Sequence, residues 1–173
     1  RMEDAEGFYA KLRDRAQTPA EKSGLDMQVA MMYFKADKFD NAAKALTEAS
    51  ARYKDDAETF VDFQQVYAEL LVKTGKPADA IQLIRRLAKE NPNLPLAYNA
   101  LFRAGQIAET TGKLEEAKTL YQEYLKTPTT EFGRRREAEM KVRIIASGGV
   151  PPTPMAPDQG PGARLSPDQP TRN

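Results

Sequence analysis

The chain has 173 residues, with 26 Lys or Arg against 25 Asp or Glu, so a formal charge of +1 gives no global pull toward nucleic acid or an anionic membrane. Cysteine and histidine are both absent, which excludes disulfides, thiol nucleophiles and every metal or acid–base site that needs an imidazole or a thiolate. No run approaches the roughly 18 consecutive apolar residues of a membrane span. The first residue is Arg1 rather than Met, so the sequence reads as a fragment or processed form, and any signal or anchor is expected upstream of it.

In chain order, the apolar spacing predicts a first helix over about 2–16, with Ala5, Phe8, Tyr9 and Leu12 on one face. Thr18-Pro19-Ala20-Glu21 is a start signal: Thr as N-cap, Pro at the first helical position, and Glu placed to close a capping box. Its helix should run to about Ala36, and a tight turn over 35–38 leads into a helix over about 39–53. Asp55 and Asp56 open a helix that reaches Thr74 and stops at Gly75, and Pro77 opens another to Glu90. Asn91-Pro92-Asn93-Leu94-Pro95 forbids a continued helix. Helices over about 96–111 and 114–126 follow, parted by Gly112 and ended by Pro128, and a last one runs over about 130–147. From 149 to 173 the composition turns to proline, seven of the twelve, with too few apolar residues to offset the entropy of ordering, so this part reads as an extended polyproline-type tail.

Four of these segments repeat one pattern. Ala5, Ala42, Ala80 and Ala117 lie 37, 38 and 37 residues apart. Apolar or aromatic residues follow each alanine three, four and seven positions on: Phe8, Tyr9, Leu12; Ala45, Leu46, Ala49; Leu83, Ile84, Leu87; Leu120, Tyr121, Tyr124. A fixed period in the range of 20 to 50 residues marks a solenoid of stacked supersecondary units.

The aligned positions resemble the tetratricopeptide repeat family. The best unit is Leu101, Ala104-Gly105, Ala108, Gly112, Leu114, Ala117, Tyr121 and Tyr124, with Pro128 slightly early. The second is Gln64, Tyr67-Ala68, Leu71, Gly75, Pro77, Ala80, Ile84, Leu87 and Pro92. The weakest is Asp26, Val29-Ala30, Tyr33, Asp37, Phe39, Ala42, Leu46 and Ala49, with Asp37 where glycine is usual. The resemblance implies an all-α, right-handed superhelical solenoid over 1–148. It comprises a lone B-type helix at 1–16, hairpins at about 18–53, 55–90 and 95–127, and an A-type capping helix at 130–147, with the Pro-rich tail at 149–173. The loose spacing and Pro-rich end are similar to bacterial envelope members, such as the Tol–Pal accessory protein, the Sec-translocon accessory subunit and the lipoprotein of outer-membrane assembly. A periplasmic or membrane-anchored setting is therefore expected, with the cytoplasm as the alternative.

In such hairpins the A helices line the inner, concave surface, so the expected partner-binding residues are Met27, Met31 and Phe34, then Asp62, Gln65 and Glu69, then Asn99, Phe102 and Gln106. Leu25, Met27, Val29, Met31, Met32, Tyr33 and Phe34 make one helix apolar almost all round. That pattern fits either cover by neighbouring helices or a Met-lined groove for an apolar segment. The Lys and Asn with which some family members clamp a C-terminal carboxylate are missing, since Met27, Met31, Gln65 and Glu69 stand there. Arg134, Arg135, Arg136, Lys141 and Arg143 form a basic cluster, but Glu137 and Glu139 are placed to pair with Lys141 and Arg143, and no aromatic platform accompanies it, so no nucleic-acid partner is expected. The tail spacings Pro154…Pro157 and Pro167…Pro170 suit an aromatic groove, or are those of any Pro-rich linker. No catalytic residue, cofactor or metal site is expected. The reading is a non-catalytic scaffold that binds a protein or peptide segment; the alternative is a self-associating module whose open end or tail drives a homo-oligomer.

Overall fold

The computed structural model describes residues 2–148, with side chains from Asp4 onward; the Pro-rich tail expected at 149–173 lies outside the described residues. The described chain is a succession of α-helices: α1 (Met2–Arg15), α2 (Pro19–Lys35), α3 (Phe39–Arg52), α4 (Ala57–Lys73), α5 (Pro77–Glu90), α6 (Pro95–Thr110), α7 (Leu114–Leu125) and α8 (Phe132–Ala146). Each helix packs on its neighbours in sequence, and the A-type helices α4 and α6 also touch each other, which makes an all-α solenoid.

The ends of the helices follow local chemistry. Thr18 Oγ1 accepts from the Glu21 amide at 3.1 Å while Glu21 Oε2 accepts from the Thr18 amide at 3.0 Å, a complete capping box ahead of Pro19. Asp56 caps α4 by accepting from the Thr59 amide and hydroxyl. The three hairpin turns share one C-terminal motif. The amides of Lys38, Lys76 and Lys113 reach back to the carbonyls of Tyr33, Leu71 and Ala108, and those of Asp37, Gly75 and Gly112 to Phe34, Val72 and Glu109. This double closure needs a left-handed residue in the turn, with φ of 55° at Asp37, 77° at Gly75 and 75° at Gly112. Asp37 is thus the aspartate that occupies the glycine position of the first hairpin.

The repeat positions become the helix crossings. Ala30, Ala68 and Gly105 of the A helices and Ala42, Ala80 and Ala117 of the B helices are all buried. Leu46, Ile84 and Tyr121 fill the groove beside them, and Ala49, Leu87 and Tyr124 sit one turn on, all buried. The crossing is tightest in the last hairpin, where a Cβ on Gly105 would stand 2.5 Å from Tyr121 Cε1. The core has two parts. One joins α2, α3 and α4 around Tyr33, Leu46 and Phe63; the other runs from α4 to α8 around Ile84, Leu101, Tyr121 and Tyr124. Helix α4 supplies both, with Phe63 and Leu70 on one side and Val61 and Ala68 on the other, as expected of a unit that cannot bury its apolar residues alone.

The last helix begins at Phe132, two residues later than the sequence pattern predicts. Thr129 is buried, its hydroxyl 3.2 Å from the Tyr124 hydroxyl and accepting from the Glu131 amide, so the chain is held non-helical there until the contact is complete.

Three substitutions test these crossings and turns by chemical denaturation. Gly105→Ala is expected to destabilise by about 1–3 kcal/mol, since the Tyr121 ring is fully buried and cannot swing aside. Asp37→Gly is expected to stabilise and Gly112→Ala to destabilise, each by about 1 kcal/mol, because the left-handed turn is the only strain in play and no atom lies within 4 Å of a Cβ on Gly112.

Candidate functional site: the groove along the A helices

Residues of α2, α4 and α6 that are not used at the helix crossings line one side of the stack, and the segment leading into α8 closes its end. Three adjoining depressions run along it. One of about 530 Å³ is bounded by Ser23, Met27, Glu58, Asp62, Phe63 and Leu96. One of about 200 Å³ lies between Asp62, Gln65, Glu69 and Arg103. The third, about 590 Å³, is lined by Gln65, Leu96, Asn99, Phe102, Gln106, Glu131 and Arg134 among others. Asp62, Gln65, Leu96 and Arg103 are walls common to two of the three, so the depressions form one continuous groove.

The sequence-predicted residues divide between groove and core. Met27 lines the groove and also packs on the first core, and Asp62 stands between two of its depressions. Gln65 lines it while its Nε2 donates to the Leu96 carbonyl at 2.6 Å, fixing α4 to the start of α6. Glu69 is held by Arg103 in a two-point pair at 2.6 and 2.8 Å. Asn99 Nδ2 donates to Glu131 Oε1 at 3.1 Å, and its Oδ1 is buried with no protein partner. Phe102 is only 4% exposed. It is a floor residue, with its ring 5.5 Å from those of Tyr121 and Tyr124 and the Arg134 guanidinium 6.0 Å above it. Gln106 is half-buried at the edge of the largest depression. Met31 is half-buried on α2 and lines none of the three, and Phe34 turns into the first core, 6.1 Å from the Phe39 ring.

Leu96, Arg103 and Glu131 are groove residues that the sequence pattern did not single out, and Arg134, noted there only as part of a basic cluster, also lines the groove. Arg103 lies four residues after Asn99 on the same helical face, so the period contained that signal. Glu131 lies in the non-helical approach to α8, where no period applies.

The groove is acidic. Glu58, Asp62, Glu69, Glu131 and Glu137 face only Arg103 and Arg134, and those two arginines are already paired with Glu69 and Glu131. Burial raises the Asp62 carboxyl above the usual carboxylate range, and the neighbouring charge of Glu58 raises it further. Asp62 therefore stands among Met27, Phe63 and Leu96 with no ion pair among the described residues.

A second charged cluster lies off the groove and fixes α8. Lys141 Nζ donates to both Glu109 oxygens at 2.9 Å, and the Tyr121 hydroxyl donates to Glu109 Oε2 at 2.7 Å. Lys141 therefore pairs with Glu109 of α6 rather than with Glu137, and Glu139 lies 3.8 Å from Arg135 rather than against Arg143. The reason is that Glu109 needs a cation: burial pushes its carboxyl up, but the bonds from Lys141 and Tyr121 outweigh this and leave it below the usual range. Burial and the bond to Glu109 push the Tyr121 hydroxyl far up, so it remains a donor. Among the described residues no group of three His, Cys, Asp or Glu side chains is placed to hold a metal ion, and no helix is long and apolar enough to cross a membrane.

This is a helical-hairpin solenoid with a groove lined by its A helices. Residues 68–131 match the tetratricopeptide repeat family model. Over 59 residues it is 41% identical to Tetratricopeptide repeat protein 7B of Homo sapiens, a match that spans 34% of this chain and 6% of that protein. Among solved structures it is similar to BtubC (BKLC) from P. vanneervenii, with a TM-score of 0.59 over 85% of this chain and 63% of that one. At 17% identity that likeness is one of fold.

The Glu109 cluster gives a pH test. A carboxyl whose pKa is lowered in the folded state contributes stability above its unfolded pKa and loses it as pH falls through the folded value. Glu109→Gln should therefore unfold at lower temperature than the wild type at neutral pH, and the gap should close as the pH falls through and below the ordinary glutamate range.

Proposed function

We propose that the protein is a non-catalytic scaffold that holds an extended segment of a partner protein in the groove of α2, α4 and α6. Tetratricopeptide repeats mediate protein–protein interaction, and the observation that supports this particular surface is the continuous acidic groove with apolar floor residues Met27, Phe63, Leu96 and Phe102. The chemistry favours a segment in which basic side chains alternate with aliphatic or aromatic ones. Its cations would meet Asp62 and Glu58, its amide groups Gln65, Asn99 and Gln106, and its apolar side chains the floor. A setting in a cell-envelope assembly is supported by the similarity in spacing and by the Pro-rich end.

The reading is tested by selecting a random peptide library against the 173-residue chain. Enrichment of basic–apolar sequences is expected, and Asp62→Lys should abolish their capture. The same substitution should leave thermal unfolding unchanged or slightly higher, because it removes a desolvated charge beside Glu58. Enrichment of acidic sequences, or capture insensitive to Asp62→Lys, would place the partner elsewhere.

A further inference from the structure

We propose that the cleft between α5 and α7, on the B-helix side of the stack, binds an acidic segment of a partner protein by an apolar anchor flanked by carboxylates. The cleft encloses about 490 Å³, and no residue lines both it and the A-helix groove. Its floor is Ala88 of α5 with Tyr98 and Leu101, three residues apart on one face of α6. Pro92 and Pro128, from the loops that follow α5 and α7, stand exposed at its mouth. Tyr98 is only 8% exposed, yet its hydroxyl makes no hydrogen bond among the described residues. A polar group so enclosed needs a partner of its own, and a carboxylate entering the cleft supplies one.

The rim sets the charge. Lys89 of α5 and Lys126 at the end of α7 are exposed, and neither is in an ion pair among the described residues. Arg85 and Glu123, which also line the cleft, pair with each other at 2.9 and 3.1 Å, so the two lysines are left as its unmatched charges. The equivalent positions one hairpin earlier are used differently. Ala88 and Leu101 correspond to Ser50 and Gln64, whose side chains bond to each other at 2.8 Å and join α3 to α4. Tyr98 corresponds to the fully buried Val61, and Lys89 to Ala51. The repeat itself therefore does not require an apolar floor, a free hydroxyl and a lysine at this place. The Pro-rich segment at 149–173 carries Asp158 and Asp168 against Arg164 and Arg172, so it brings no net negative charge, and an acidic partner is the better match to the rim.

The test selects a random peptide library against the 173-residue chain and against its double variant Lys89→Glu/Lys126→Glu. Both lysines are exposed and unpaired, so circular dichroism and thermal unfolding of the variant should match the wild type. The wild type is expected to capture a class of peptides with Asp or Glu beside Leu, Met or Pro, less strongly as salt is added. The double variant should lose that class entirely. Tyr98→Phe keeps the ring in the floor and removes only the hydroxyl, so it should weaken the same peptides about tenfold. Asp62→Lys should leave them unchanged while it abolishes capture of basic sequences, so this proposal and the groove reading stand or fall separately. A wild type that returns no acidic class overturns the proposal, as does acidic capture that survives the double substitution or is unaffected by Tyr98→Phe. So does displacement of the selected peptides by a synthetic peptide of residues 149–173, since the chain's own tail would then be the occupant.

Discussion

The close approach of each A helix to its B helix is the constraint on which everything else depends. A helix pair can meet at a small interaxial distance only where side chains are absent, and this chain places Ala or Gly on both partners at each crossing: Ala30 with Ala42, Ala68 with Ala80, Gly105 with Ala117. Once the backbones meet, the residue four positions after the B-helix alanine has one place to go, into the cleft between layers. Leu46 and Ile84 are equal in size and Tyr121 is larger, and the A-helix residue shrinks to glycine opposite the tyrosine, where a Cβ would stand 2.5 Å from its ring. The volume is conserved across the crossing while its distribution changes, which is how close-packed interiors accommodate variation.

Polar contacts then fix the angle between layers that packing alone leaves loose. Glu69 with Arg103 joins α4 to α6, Arg85 with Glu123 joins α5 to α7, and Glu109 with Lys141 joins α6 to α8. At the other end Asp26 gathers Arg13, Arg52 and the Tyr53 hydroxyl, tying α1, α2 and α3. Each cluster bridges elements of successive layers rather than residues of one helix. A pair as exposed as Glu69–Arg103 adds little stability; what the clusters share is register, since each links helices of different layers.

The solenoid was legible in the sequence because its determinants are local and periodic. Thr18-Pro19-Ala20-Glu21 specified a helix start within four residues, and Gly75 and Gly112 specified left-handed turns wherever the chain happened to fold. What the period could not convey was how a side chain with two available neighbours chooses between them. Phe102 falls on the groove face by counting, yet Tyr121 and Tyr124 draw its ring into the core. Phe34 is drawn likewise to Phe39. Lys141 has Glu137 one turn before it on its own helix, but pairs with Glu109 on another helix, which also accepts from Tyr121. In each case a contact distant in sequence prevails over one that counting favours.

The same division separates what makes the stack from what it can hold. Alanines and aromatics at the crossings are sequestered from solvent and so cannot recognise anything. The groove residues carry the opposite balance: Glu69 and Arg103 form an exposed pair whose partners water or an incoming ion can replace at small cost. Asp62 has no ion pair among the described residues, and burial together with the neighbouring Glu58 raises its carboxyl above the usual range, so its ionised form is disfavoured there. A cationic side chain arriving there would relieve a strain already built into the fold, whereas one arriving at Glu109 would have to displace both Lys141 and Tyr121. Asp62 in the groove is thus left without an ion pair while Glu109, off the groove, is held by Lys141 and Tyr121, a contrast set by which carboxylates the fold has already paired.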